Sequence, residues 1–142
     1  PIRIGTYGDP GAVDPAIWQA LTRQARLWTG YTHQWSNLPE SSKNALKPLV
    51  MASCDTPSEA TNAQRAGWRT FRIVPRPEFR ARDETACPAS AEAGKRTACA
   101  YCGLCAGTTV RGRNIAIAMH GGFAVRGNAK RARVPELQAA FT

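Results

Sequence analysis

Four of the five cysteines in this chain have the spacing of ligands to a metal cluster. Cys99, Cys102 and Cys105 fall within seven residues, and Cys87 lies twelve residues upstream, directly before Pro88. A loop with two residues between successive cysteines can present three thiolates to three irons, and a distant Cys-Pro supplies the fourth ligand. The pattern therefore predicts a 4Fe–4S cluster. Because all four irons would be ligated, the cluster would be structural, redox-sensing or electron-transferring.

Two alternatives stay open for the same cysteines. Zinc usually takes two separated Cys-x2-Cys pairs, so zinc fits the triple run less well than a cluster does. Disulfides or free thiols are the other alternative, but an odd number of clustered cysteines is unlike a secreted disulfide framework. Cys54 lies far from the run and is expected to be a small buried side chain rather than a ligand.

The excess positive charge lies in the second half of the chain. The net charge is +9, and residues 1–64 carry five basic and five acidic side chains against fourteen and five in residues 65–142. A phosphate-rich partner would account for this asymmetry, so the sequence predicts contact with nucleic acid, with a generally basic surface as the alternative. The expected phosphate contacts are Arg96, Arg111, Arg113, Arg126, Lys130, Arg131 and Arg133.

Polar side chains also follow four of the predicted strands at the points where those strands end. They are Asp9, His33, Asp55 and His120. Chemistry in parallel β/α folds collects at the carboxyl ends of the strands, so these residues predict a catalytic rim that binds a metal, moves protons or holds a polar substrate. The alternative is that the two aspartates cap turns. No motif names a reaction class.

The elements that must position these residues alternate between strands and helices. Helix starts are predicted at Asp14-Pro15 and at the capping box Thr56-Pro57-Ser58-Glu59, with a short helix near 40–46. Five strands are predicted near residues 2–7, 29–33, 49–53, 69–74 and 115–120. Spacings of about 20–25 residues are typical of β-α-β units around a parallel sheet. The predicted fold class is α/β, with a partial or open β/α-barrel-like parallel sheet.

Residues 75–113 interrupt this alternation. They are rich in Pro, Arg, Gly and Cys, and a loop of this length needs something to order it, which a cluster would do. We therefore expect a single β/α domain over residues 1–142, with 75–113 as a Cys-rich, cluster-binding insertion before the last strand. Because five strands do not close a barrel, two alternatives stay open. The sheet is either open or part of a barrel that a preceding segment or another chain completes, and in the second case the chain could be the C-terminal part of a longer protein.

Several segments together resemble one protein family. They are residues 4–10 (IGTYGDP), 30–35 (GYTHQW), 51–53 (MAS), 67–72 (GWRTFR), 87–90 (CPAS) and 99–105 (CAYCGLC). The combination resembles an uncharacterised family common in bacteriophage and prophage genomes, distantly similar to radical S-adenosylmethionine enzymes or to replication-associated β/α proteins. The resemblance implies a phage-encoded protein in the bacterial cytoplasm, with a β/α fold and an iron–sulfur cluster. No apolar run in the sequence is long enough to span a bilayer, and no membrane partner is expected.

Three kinds of function are compatible with these features. The first is a protein whose cluster orders a basic surface for nucleic acid. The second is an enzyme, either one that uses the rim or one with radical chemistry, which normally needs Cys-x3-Cys-x2-Cys after the first strand and an iron left free. The third is a zinc-stapled interaction or assembly protein.

Overall fold

The fold, taken from a computed structural model that describes residues 1–119, is α/β and is built on one parallel sheet. Its strands are β1 Ile2–Ile4, β2 Trp28–Thr32, β3 Met51–Cys54, β4 Thr70–Val74, β5 Glu84–Ala86 and β6 Asn114–Ala118. All neighbouring strands are parallel, and their order across the sheet is β1-β2-β3-β4-β6-β5. Within the described residues β1 and β5 are edges, so the sheet is open. The predicted α/β class and open parallel sheet are confirmed.

Four helices connect or flank the strands: α1 Pro15–Arg23, α2 Glu40–Leu46, α3 Pro57–Arg65 and the single turn α4 Cys99–Cys102. The predicted starts are confirmed, because the Asp14 carboxylate accepts the Ala16 N–H at 2.9 Å and Thr56 forms a reciprocal capping box with Glu59. These bonds satisfy N–H groups that have no partner inside the helix. Through residue 119 no helix has the length and apolar character needed to cross a membrane.

The prediction of five strands is wrong for the described residues, because the segment 75–113 contributes a sixth. β5 pairs in parallel with β6, from Glu84 opposite Asn114 to Ala86 opposite Ala116. The buried Arg72 guanidinium holds β5 by two hydrogen bonds to Glu84, from Nε at 2.8 Å and from Nη2 at 2.9 Å. An insertion outside the sheet is therefore not confirmed, since the segment forms one edge of it.

The two faces of the sheet are covered by different parts of the chain. Side chains alternate between faces along a strand, so neighbouring residues of β3 point to opposite sides. Ala52 and Cys54 pack with the buried Leu46 of α2 and Ala63 of α3, which makes this the helix face. The other face, called here the cysteine face, carries Met51, Phe71 and Ile115, and it is covered by Leu104 and Cys105 rather than by a long helix.

Candidate metal centre

Backbone hydrogen bonds hold the end of the cysteine run against β2 and the connection between α2 and β3. The N–H of Thr108 donates to the carbonyl of Lys47 at 2.8 Å, and the N–H of Thr109 donates to the carbonyl of Pro48 at 3.4 Å. The N–H of Gly30 in β2 donates to the carbonyl of Cys105 at 3.2 Å. The loop is therefore fixed beside β2 and residues 47–48 through its own main chain.

Gly107 allows this close approach. Its φ is +60°, and a Cβ built on it would lie 2.3 Å from the carbonyl oxygen of Lys47. A side chain at this position would be both strained and in collision with backbone. The close contact of the loop with residues 47–48 thus depends on glycine at position 107.

A buried arginine fixes the same loop from the other side. Arg69 lies just before β4 and is 9% exposed. Its Nη1 donates to the carbonyls of Leu104 at 2.8 Å, Gly107 at 2.9 Å and Val110 at 3.3 Å, and its Nη2 donates to that of Arg113 at 2.6 Å. One guanidinium thus shapes residues 104–113, because four main-chain carbonyls converge on it.

The four cysteines of the predicted centre lie within electrostatic reach of one another, with Cys87 and Cys105 on the cysteine face. The pKa of Cys105 is raised to about 11, chiefly by burial and in smaller part by charges on Cys87 and Cys102. Burial also raises the pKa of Cys87, as do charges on Cys99 and Cys102. Each thiol therefore lies within electrostatic reach of others in the set. None of the chain's cysteines is in a disulfide, and their exposure runs from the buried Cys105 to the exposed Cys99.

The sulfurs do not converge on one point. No three His, Cys, Asp or Glu side chains within residues 1–119 are placed to hold a metal ion. A single tetrahedral zinc, with Zn–S bonds of about 2.3 Å, requires its sulfurs to lie about 3.8 Å apart. A cubane takes one thiolate at each of four corners, so its cysteine sulfurs are spread more widely.

Tyr31 completes the surroundings of Cys105. Its ring stacks at a tilt on Phe71 with 4.3 Å between centroids, and burial raises the pKa of its hydroxyl. A side-chain hydrogen bond from Tyr31 lowers the pKa of Cys105, and so does the charge of Arg69. Sequence reasoning missed both Tyr31 and Arg69. A tyrosine within a strand has no motif, and the partners of Arg69 are carbonyls 35 to 44 residues away.

Three of the four predicted rim residues come together at the carboxyl ends of β1, β2 and β3. Asp9 accepts hydrogen bonds from the N–H of Gly11 at 2.7 Å, the hydroxyl of Thr32 at 2.6 Å and the N–H of His33 at 2.7 Å. His33 Nε2 lies 3.9 Å from Asp55 Oδ1, and these side chains are 65% and 81% exposed. Asp9 is thus occupied in joining two loops, whereas His33 and Asp55 are open to solvent. His120 lies outside the described residues.

The predicted phosphate contacts are only partly within the described structure. Arg96, Arg111 and Arg113 are exposed and flank the cysteine run. Arg126, Lys130, Arg131 and Arg133 lie outside the described residues. Cys54 is 1% exposed on the helix face, which confirms the prediction that it is a buried side chain apart from the other four.

The chain was also compared with known proteins. No protein-family model, curated protein or solved structure matches it. The resemblance to a phage and prophage family stays a prediction carried by the segments quoted above.

Proposed function

We propose that this chain is an iron–sulfur protein in which Cys87, Cys99, Cys102 and Cys105 hold a 4Fe–4S cluster. The observation that carries the proposal is the electrostatic proximity of these four free thiols, two of which, Cys87 and Cys105, lie on the cysteine face. Thiolates are soft ligands that favour iron–sulfur clusters and zinc over oxygen-loving cations. A metal centre would account for four such groups near one another, and free thiols are the alternative.

The cysteine spacing favours a cluster over a single zinc ion, because one triple run with a distant fourth cysteine fits the two separated Cys-x2-Cys pairs of zinc sites less well. The proposal depends on this spacing, since no three His, Cys, Asp or Glu side chains within residues 1–119 are placed to hold a metal ion. Cys105 lies in the loop that Arg69 and residues 47–48 hold in place. With four cysteine ligands no iron is open, so the cluster would stabilise the cysteine face or carry electrons.

Anaerobic reconstitution tests this proposal. We expect an absorbance shoulder near 400 nm together with about four irons and four sulfides per chain. Serine at any of the four cysteines should lower the iron content, whereas Cys54→Ser, the matched control on the helix face, should keep it. A colourless protein with one zinc per chain would contradict the cluster and support a zinc-stapled interaction protein.

We further propose that the basic half of the protein contacts nucleic acid. Residues 75–113 carry seven basic and four acidic side chains, and among the acidic ones Glu84 is already neutralised by Arg72. Arg111 and Arg113 are exposed and lie at the end of the loop, residues 104–113, that Arg69 shapes. Ordering this loop by a cluster would hold their charges in fixed positions for phosphates.

Binding of fluorescent oligonucleotides across a salt series tests this partner. With six to eight phosphate contacts the affinity should fall on the order of 10³-fold between 50 and 200 mM salt. The double variant R111Q/R113Q should bind more weakly than wild type. The matched double variant R23Q/R26Q, which removes two exposed arginines from the neutral half, should not. An affinity that does not change with salt concentration would contradict the proposal.

An enzyme is the second candidate. The exposed His33–Asp55 pair could transfer protons. Cys87 is separated in sequence from the run of three cysteines, so a cluster held by those three alone is the alternative to four-cysteine ligation. If Cys87 is not a ligand, one iron is free for S-adenosylmethionine. The electron paramagnetic resonance spectrum of the reduced cluster distinguishes the two cases. A spectrum that changes on addition of S-adenosylmethionine would favour radical chemistry, and an unchanged spectrum would favour the closed four-cysteine cluster.

A further inference from the structure

We propose that the amino ends of β4, β5 and β6 form one surface that binds the phosphate backbone of a nucleic acid. The contacts would be made by four exposed arginines: Arg65, Arg82, Arg111 and Arg113. The surface is called here the amino edge and comprises residues 64–70, 82–83 and 111–114. This inference rests on the proposed nucleic-acid contact, since it names the surface that would make that contact, and it requires no metal.

Hydrogen bonds between side chains tie the three strand ends together. Gln64, at the end of α3, donates from Nε2 to the Asp83 carboxylate at 3.0 Å and to the Thr70 hydroxyl at 3.3 Å. Asn114 donates from Nδ2 to the same Asp83 oxygen at 2.8 Å, and its side-chain carbonyl accepts the N–H of Thr70 at 2.9 Å. The amino ends of β4, β5 and β6 are therefore held in fixed positions next to one another.

The exposed arginines lie beside this network in the chain. Three are direct sequence neighbours of its members: Arg65, Arg82 and Arg113. The carbonyl of Arg113 accepts Arg69 Nη2 at 2.6 Å, and Arg111 lies two residues earlier. Because β6 lies between β4 and β5, and neighbouring strands are about 4.8 Å apart, the three strand ends span about 10 Å. Arginines from distant parts of the chain therefore share one short stretch of surface.

The positive charge of the amino edge has little compensation within residues 1–119. None of the four exposed arginines forms an ion pair in this part of the chain, and the only acidic side chain of the amino edge is Asp83. The buried Arg69 adds a further charge, since its terminal nitrogens bond to main-chain carbonyls rather than to a carboxylate. Closely spaced charges of one sign attract a polyanion, and the planar guanidinium can donate two parallel N–H groups to a phosphate.

The opposite edge of the sheet carries acidic side chains. Asp9, Asp55 and Glu78 lie in the loops that follow β1, β3 and β4. Arg76 follows β4 as well, but its Nη1 lies 3.7 Å from the Glu78 carboxylate. A polyanion should therefore approach the amino edge rather than the carboxyl ends of the strands.

Binding of a fluorescent DNA duplex to the full chain across a salt series tests the inference. The double variant R65Q/R82Q should weaken binding at least tenfold at about 100 mM salt and lower the slope of log affinity against log salt by about 1.8, since each phosphate contact contributes about 0.9. The matched control R76Q/R80Q removes the same charge from the opposite edge, where Arg80 lines a small cavity with the last residues of β4, β5 and β6. This control should leave the slope unchanged.

The outcomes separate the inference from the proposal on which it rests. Equal effects of R65Q/R82Q and R76Q/R80Q, with R111Q/R113Q still weakening the binding, would overturn the amino edge and leave a nucleic-acid contact confined to the cysteine loop. A wild-type affinity that does not change with salt concentration would overturn the nucleic-acid contact itself.

A second measurement uses the wild-type protein and does not depend on the folding of a variant. Phenylglyoxal modifies exposed arginines, and mass spectrometry of the modified protein shows which of them the DNA duplex protects. We expect protection of Arg65 and Arg82 and unchanged reaction of Arg76 and Arg80. Protection of neither pair, or equal protection of both pairs, would overturn the inference.

Discussion

Replacement of Gly107 by alanine should unseat the loop that carries Cys105. The new Cβ would lie 2.3 Å from the carbonyl oxygen of Lys47 and 2.7 Å from the carbonyl carbon of Pro48. Both are main-chain atoms of the connection between α2 and β3, so no flexible side chain can move away to make room. Relief of the contact requires the loop to move away from this connection, and the Thr108 and Thr109 hydrogen bonds are lost with it.

The loss of unfolding free energy in Gly107→Ala has two parts, and the same substitution at a second glycine, Gly94, measures one of them alone. Left-handed backbone costs an alanine about 1–2 kcal/mol, and forcing a methyl group into filled space costs about 1–3 kcal/mol more. Gly94 has a φ of +78° and nothing within 4 Å of its Cβ position, so Gly94→Ala carries the first cost alone. We therefore expect Gly107→Ala to lower the free energy of unfolding by about 2–5 kcal/mol and Gly94→Ala by about 1–2 kcal/mol.

Urea denaturation of both variants gives these free energies, and iron uptake under anaerobic reconstitution gives the effect on the metal site. Gly107→Ala should take up less iron than Gly94→Ala, because the displaced loop carries Cys105, one of the proposed ligands. If the two variants lose the same stability to within about 0.5 kcal/mol, the loop does not lie against residues 47–48, and this account of how Cys105 is positioned is refuted.

Three further predictions concern buried and exposed groups of the same sheet. Glu84→Ala should lower the free energy of unfolding, measured by urea denaturation, by about 3–5 kcal/mol because it leaves the buried charge of Arg72 without its ion-pair partner. The control Glu78→Ala removes an exposed carboxylate and should lower it by under about 0.5 kcal/mol. Equal losses for the two variants would contradict a stabilising Arg72–Glu84 ion pair. Burial raises the pKa of Cys54 from 9.0 to about 12. At pH 8 this lowers the fraction of Cys54 that is thiolate about a thousandfold, and the thiolate is the form that iodoacetamide alkylates. Mass spectrometry should therefore find Cys54 alkylated only after unfolding. Asp9→Asn should lower the unfolding midpoint in urea more than Asp55→Asn, since Asp9 accepts three hydrogen bonds; the reverse order would count against its loop-joining role.

The parts of the fold that the sequence predicts are those with local signals. Asp14-Pro15 and the Thr56–Glu59 box mark helix starts because each cap lies within three residues of the N–H that it satisfies. β5 has no such signal. It is three residues long, and the strand beside it begins at Asn114, thirty residues after Glu84, so its place in the sheet depends on contacts that no periodicity reveals.

The candidate site divides in the same way. The cysteine spacing is local and chemically specific, so it predicts which side chains gather on one face. The contribution of Arg69 cannot be predicted, because its partners are backbone carbonyls and every residue has one. From sequence, a positively charged side chain such as Arg69 at the start of an apolar strand is expected to be exposed. Its burial becomes evident only when the folded loop is seen to cover it.

The unequal covering of the two faces within residues 1–119 indicates what the proposed metal would contribute to the protein. In these residues the helix face has a cluster of nine buried apolar residues, whereas the cluster on the cysteine face has three: Met51, Cys105 and Ile115. Apolar burial therefore stabilises the helix face more than the cysteine face, where Arg69 and a few main-chain bonds hold the loop. Binding of metal to thiolates from distant parts of the chain adds directly to folding free energy. The proposed cluster would supply that free energy on the face that has the smaller apolar cluster within residues 1–119, so we expect it to stabilise the cysteine face whether or not it also carries electrons.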